Sequence, residues 1–150
     1  ASTMEKLSWT GIKSLTLFNR FFSPDIDIDK MEVKPSFIFS KAEDIGSSLR
    51  WVALLSSRLR CEISASTGVH NGEAVIKQLL AGAQTVQVAS ILYKNGIESV
   101  SVILEALNNW MDKKGFADIA AFRGNLSIAQ SDSPGAYERV QFMKHFAGIE

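Results

Sequence analysis

Residues 62–90 read EISASTGVHNGEAVIKQLLAGAQTVQVAS, and this stretch decides the fold. Glu62-Ile63-Ser64-Ala65-Ser66 has the length and apolar content of a short strand. Thr67-Gly68-Val69 is a turn. Over residues 73–83 the apolar spacing becomes helical, with Val75, Ile76, Leu79 and Leu80 inward. Thr85-Val86-Gln87-Val88-Ala89 is strand-like again. Strand, helix and strand in that order imply a right-handed βαβ unit with parallel strands. The pattern does not choose between an open sheet and a barrel.

Toward the N-terminus, Lys13-Ser14-Leu15-Thr16-Leu17-Phe18-Asn19 reads as a buried strand of the same sheet. Residues 4–9 before it fit the end of a helix that stops at Gly11. Asp25-Ile26-Asp27-Ile28-Asp29 alternates strictly, which predicts an exposed ribbon strand with Ile26 and Ile28 on one face. Phe37-Ile38-Phe39 is its expected partner, so residues 24–39 form a β-hairpin insertion between Pro24 and the region after Pro35. Ser40 or Ser47 is placed to cap the next helix, whose face is Leu49, Val52, Leu55 and Leu59.

Toward the C-terminus, residues 97–114 predict a helix ended by Gly115, with Val100, Ile103, Leu104, Leu107 and Met111 on its core side. A short helix is expected near residues 118–122, and a last one starts at Ser133-Pro134. Three main strands form a narrow parallel sheet with open edges.

The chain has 150 residues, 46% hydrophobic and 21% charged, an ordinary globular composition. Sixteen basic and sixteen acidic side chains cancel, which gives no electrostatic reason to expect nucleic acid or an anionic membrane. Cys61 is the one cysteine, so no internal disulfide forms. No apolar run reaches the length of a membrane span. Residues 1–10 carry Glu5 and Lys6 and do not read as a signal peptide; a cytoplasmic protein is the simplest reading.

Two strand ends are the first candidate site. Ser66-Thr67-Gly68-Val69 and Ala89-Ser90 are small residues that let backbone N–H groups approach a ligand, and loops after late barrel strands commonly hold phosphate. Tight βα turns of any α/β protein would look the same. Asn19 ends its strand on the active side of a parallel sheet and could bind a planar substrate, or could bond its own backbone. Arg20 could pair with an anion or be solvated. Asp25, Asp27 and Asp29 share a strand and lack the glycine turn and terminal glutamate of a calcium loop, so a solvated face is expected. His70 and His145 lack zinc-site spacing, and a surface position is the default for His70. Cys61, at the start of a strand, belongs at the end away from the active face as a small apolar filler. Trp9, Trp51 and Trp110 are spaced as anchors.

These pieces together resemble the dihydroorotate dehydrogenase family. Leu15-Thr16-Leu17-Phe18-Asn19 is similar to its sixth barrel strand, which ends in an orotate-binding asparagine. Ile63-Ser64-Ala65-Ser66-Thr67-Gly68-Val69 resembles the seventh strand with its glycine-rich phosphate loop. Asn71-Gly72-Glu73 and Leu79-Leu80-Ala81-Gly82-Ala83 resemble the ends of the following helix. Val86-Gln87-Val88-Ala89-Ser90-Ile91-Leu92 resembles the eighth strand and the second phosphate loop. Lys114-Gly115-Phe116 and Ile119-Ala120-Ala121-Phe122-Arg123-Gly124 resemble the terminal signature, so the likeness runs over residues 11–127.

The resemblance implies the C-terminal part of a TIM (β/α)8 barrel, α/β in class, with about three parallel strands and their helices. It implies an FMN-dependent oxidoreductase converting dihydroorotate to orotate in pyrimidine biosynthesis. The backbone of Thr67, Gly68, Val69, Ala89 and Ser90 would hold the FMN phosphate and Asn19 the pyrimidine. No catalytic residue or metal ligand is expected in this chain, because the family's base and flavin-contacting lysine come from earlier strands. The sequence departs from the pattern at Thr67, where the family usually has glycine, and at Ala89 and Ser90, where it has glycine and threonine. Arg20 follows Asn19 in place of serine, and the 24–39 ribbon replaces a glycine-rich flavin contact. The implied partners are a dihydroorotate-like small molecule, the N-terminal remainder of the barrel and a second copy in a homodimer. The expectation is a fragment or one piece of a larger assembly, inactive alone. A flavin barrel with another substrate and a non-catalytic interaction module are the rival readings.

Overall fold

The computed structural model describes residues 1–19, 24–35 and 39–138. Its frame is a three-stranded sheet in the order β1-β4-β5, from Ser14–Leu17, Glu62–Ala65 and Thr85–Val86. All pairing in it is parallel: Leu17 lies opposite Ala65, and Ala65 opposite Val86. This is an open α/β sheet with helical connections, and not a closed barrel. The third strand is shorter than residues 85–89. Gln87 N–H still donates to the Ala65 carbonyl at 2.8 Å, and the chain then turns into helix α4, Ser90–Asn95.

The sheet has two unlike faces. Leu15, Leu17, Ile63, Ala65 and Val86 join a core with Val52, Ala53 and Leu55 of helix α2, Ile45–Leu55. Thr16 and Ser64 point the other way, in register, and the Gln87 amide donates to the Ser64 hydroxyl at 3.0 Å. The first strand is therefore not buried as expected: Ser14 and Thr16 are exposed while Leu17 is buried. Period-two alternation sends one set of side chains to the helices and leaves the other on a polar face.

Helix α3, Gly72–Ala81, forms where the periodicity predicts it. The Asn71 side chain accepts the Ala74 N–H at 2.9 Å, and Gly82 closes the helix with φ +112, a backbone shape that favours glycine. Helix α5, Ser99–Lys114, packs on α3 and ends at Gly115. Ile103 and Leu107, one turn apart, are its buried residues, whereas Leu104 is 52% exposed. Leu104 therefore lies outside the core face assigned to it, because one residue turns the side chain by about 100° round the helix. Ile103, Leu107 and fully buried Phe122 join Val75, Ile76 and Leu79 in a second core. Helix α1, Ser2–Ser8, precedes the sheet, and α6, Gly135–Glu138, follows Ser133-Pro134.

Three further expectations are corrected. The ribbon pairs β2, Pro24–Asp27, with β3, Glu32–Pro35, a partner nearer in the chain than the expected one; Ile26 faces Val33, and Ile28 falls in the connecting turn. Asp27 Oδ1 accepts the Asp29 and Lys30 N–H groups at 3.2 and 3.1 Å, which tightens that turn. Phe37 and Ile38 lie outside the described residues. Neither Ser40 nor Ser47 caps α2: a 3-10 turn, Ala42–Asp44, leads into it, with the Lys41 N–H donating to Asp44 Oδ2 at 2.9 Å. Residues 118–122 form turns rather than a helix. There the Gly124 and Leu126 N–H groups donate to the Leu79 and Leu80 carbonyls at 3.0 and 2.9 Å. The last carbonyls of α3 need donors from outside the helix, and this segment supplies them.

Candidate functional site

The C-terminal ends of the three parallel strands converge on one cavity of about 170 Å³. Its lining contains the six residues that the family resemblance implies for binding: Asn19, Thr67, Gly68, Val69, Ala89 and Ser90. Ser40, Ser66 and Gln87 complete it. Among the described residues no carboxylate lines the cavity, so hydroxyls, amides and backbone N–H groups dominate its chemistry. The volume lies below the roughly 300–1,000 Å³ of pockets that enclose a whole drug-sized ligand, and it suits one end of a larger molecule.

The loop after β4 is held from three sides. Ser66 N–H donates to the Leu17 carbonyl at 2.8 Å. Thr67 Oγ1 donates to the Phe18 carbonyl at 2.7 Å. Gly68, with φ +76, lies against the start of α2, where an added Cβ would sit 2.6 Å from Ile45 Cα and 2.8 Å from Asp44 C. Only glycine combines that backbone shape with that approach. Among the described residues, the N–H groups of Thr67, Gly68, Val69 and Ala89 donate to no backbone carbonyl. Such groups are the ordinary ligands of a bound anion.

Ser48 and Gln78 brace the floor from behind. Ser48 Oγ donates to the Leu17 carbonyl at 2.9 Å, and the Gln78 amide donates to Ser48 Oγ at 3.2 Å. Gln78 is fully buried, and its Oε1 has no partner among the described residues. Asn19 itself is exposed at the cavity rim.

His70 differs from the surface position expected of it. It is half-buried, with Nε2 3.0 Å from Ser40 Oγ, and Ser40 is 8% exposed. Ser66 belonged to the first candidate stretch; Ser40 and Gln87 were missed in the sequence as cavity residues. The alternation Leu15-Thr16-Leu17 and Ile63-Ser64-Ala65 carries the signal for a polar sheet face, which leads to Gln87. Ser40 carries none, because its place is set by contacts 30 and 50 residues away in the chain.

The remaining candidates stand apart. Cys61 lines a separate cleft with Ser8, Lys13 and Gln84 at the opposite ends of the strands, half-buried. Asp25 and Asp27 accept backbone N–H groups within the hairpin, and Asp27 also meets Lys34 at 3.4 Å. Among the described residues no group of three or more His, Cys, Asp or Glu side chains converges on a common point. No described helix is long and apolar enough to cross a membrane. Trp51 packs edge-on to Phe18, and Trp110 packs against Phe116 and Phe122, while Arg60 lies over Trp9. Arg20 and His145 lie outside the described residues.

No family model matches the chain. Dihydroorotate dehydrogenase A (fumarate) of Lactococcus lactis subsp. lactis is 27% identical over 133 residues, covering 84% of this chain and 42% of that protein. Dihydroorotate dehydrogenase (fumarate) of Saccharomyces cerevisiae is 31% identical over 111 residues, 69% of this chain and 34% of that protein. The Lachancea kluyveri enzyme of the same name is 36% identical over 66 residues, 44% of this chain and 21% of that protein. The chain thus spans between about a fifth and two fifths of the length of these relatives. Among solved structures, ligand-free DHODH from Eimeria tenella superposes with a TM-score of 0.65 at 18% identity, over 82% of this chain and 36% of that one. DHODH of the same organism in complex with ferulenol gives 0.62 at 19% identity, over 78% and 32%. Both share the fold over most of the present chain.

Proposed function

We propose that this chain, which fits the C-terminal portion of the dihydroorotate dehydrogenase family, supplies the flavin-phosphate end of an FMN-dependent oxidoreductase acting on a dihydroorotate-like substrate. One observation carries the reading: residues from three separate strand ends line a single cavity rich in donors and, among the described residues, free of carboxylates. That donor set fits a phosphate monoester. The backbone N–H groups of Thr67, Gly68, Val69, Ala89 and Ser90 hold the phosphate, and the rim amide of Asn19 bonds the planar substrate. When bound, FMN supplies the two-electron acceptor. The chain's own part is to anchor and orient. The base that takes the substrate proton belongs to the remainder of the barrel, so this chain by itself gives no turnover.

Titration of FMN and of riboflavin into the purified chain, followed by flavin fluorescence, tests the phosphate site. FMN should bind at least ten-fold more tightly than riboflavin, which lacks the phosphate. Equal affinities refute the site. Dihydroorotate oxidation by the chain alone refutes the division of labour. A second reading keeps the flavin site and changes the substrate. The polar row of Thr16, Ser64 and Gln87 beside Asn19 favours it, and a panel of dihydropyrimidines offered to the whole enzyme decides between the two.

A further inference from the structure

Ser40, Ser90 and His70 come from three separate segments and meet at the cavity wall, with Ser40 and Ser90 in the lining. Ser90 Oγ accepts twice, from the Ser40 N–H at 2.9 Å and from the Ser40 hydroxyl at 3.0 Å. Ser40 Oγ, having given its one proton to Ser90, can only accept from His70 Nε2 at 3.0 Å. The His70 tautomer with its hydrogen on Nε2 completes this arrangement of protons. The arrangement also leaves the Ser90 hydroxyl with both lone pairs engaged and its own proton still to donate. Ser90 lines the cavity, so that proton is available to a ligand there. Lys94 Nζ holds the Ser40 carbonyl at 3.3 Å and lies 5.9 Å from the Phe39 ring, while Phe39 stacks at 5.5 Å on Tyr93. Phe39 and Ser40 are therefore fastened onto α4, which holds Ser40 beside Ser90.

We infer that His70, Ser40 and Ser90 form a one-way chain of hydrogen-bond donors whose last proton, on Ser90 Oγ, binds the phosphate monoester in this cavity. The inference rests on the FMN reading and extends it. Donors in series polarise one another, and an O–H given to an anion is stronger than one given to a neutral acceptor. Ser90 gives the ligand its proton; Ser40, which lines the cavity beside it, and His70 act through Ser90 as positioning residues. The chain of donors gives this cavity a side-chain contact in addition to its backbone N–H groups.

The test compares FMN and riboflavin binding to the full 150-residue chain and its variants, reading the ratio of the two affinities. Ser90→Ala and Ser40→Ala should each cut FMN affinity about ten-fold and leave riboflavin affinity unchanged. His70→Leu should act in the same direction. His70→Gln, whose amide can still donate, should retain most of the FMN preference. Urea midpoints of each variant separate folding from binding, and should Ser40→Ala fail to fold, the His70→Gln and His70→Leu pair still discriminates. If the wild-type chain prefers FMN but the ratio stays within about two-fold in Ser90→Ala and His70→Leu, the relay is wrong and the phosphate site stands. If the wild-type chain shows no preference for FMN, the phosphate reading and the relay fall together.

Discussion

Thr67 Oγ1 donates to the carbonyl of Phe18 across 2.7 Å, tying the loop after β4 to the strand end that presents Asn19. Thr67 holds φ +78, where a β-branched residue is strained. The hydroxyl contact compensates for that strain and couples the two walls of the cavity. Thr67→Val keeps the shape and loses the donor, leaving the carbonyl less satisfied. It should destabilise the fold by about 1–2 kcal/mol in urea unfolding. Thr67→Gly should cost less, because glycine adopts positive φ without penalty. An equal loss in both variants would contradict this account.

Ser48 and Gln78 form one buried unit under Leu17. Ser48→Ala removes a donor to the Leu17 carbonyl and strands the Gln78 amide, and should cost about 1–3 kcal/mol. Adding Gln78→Leu, which removes the stranded amide and an already unpartnered Oε1, should cost less than the sum of the single changes. Chemical denaturation of the four species completes the cycle. Strict additivity would mean that the two side chains act independently.

Phe122 is fully buried, with ring centroids 5.0 Å from Trp110 and 5.2 Å from Phe116. Phe122→Ala should cost about 3–5 kcal/mol and shift the Trp110 emission toward that of solvated indole. A loss under about 1 kcal/mol would show that the turn segment does not depend on this ring.

Gly68 faces the start of α2 at contact distance, with positive φ. Gly68→Ala must displace either the loop or the helix. A loss of about 1–3 kcal/mol is expected, together with loss of FMN binding. Retained FMN affinity in a folded Gly68→Ala chain would remove this loop from the phosphate site.

The Glu73 carboxyl is held below its ordinary range by a hydrogen bond from Lys77 and by the charge of that lysine one helical turn away. A carboxyl depressed in the folded state adds stability above its unfolded titration range and loses it as the pH falls through the folded one. Glu73→Gln should therefore lower the urea midpoint slightly at neutral pH and match the wild type in acid. Since Glu73 is solvent-exposed, the effect should also fade in high salt. A Glu73→Gln deficit that persists in acid would assign the effect to something other than this ion pair.

Residues 62–90 by themselves determined the parallel βαβ frame and the α3 face, because period acts within a few residues; the helix, read as 73–83, stops at Ala81 with Gly82 as its cap. That Asn19, Ser66-Thr67-Gly68-Val69 and Ala89-Ser90 follow the strands was legible for the same local reason. Tertiary structure decided the rest. It paired the ribbon with Glu32–Pro35, where the Asp27 turn closes the hairpin early. It left residues 118–122 without a helix and brought the Gly124 and Leu126 N–H groups after them to the carbonyls at the end of α3. It brought Ser40 to Ser90 and His70, and Gln78 to Ser48, across 30 to 50 residues of chain. Contacts at that separation leave no periodic mark on a sequence, because hydrogen-bond partners are chosen by distance in space after the backbone has folded.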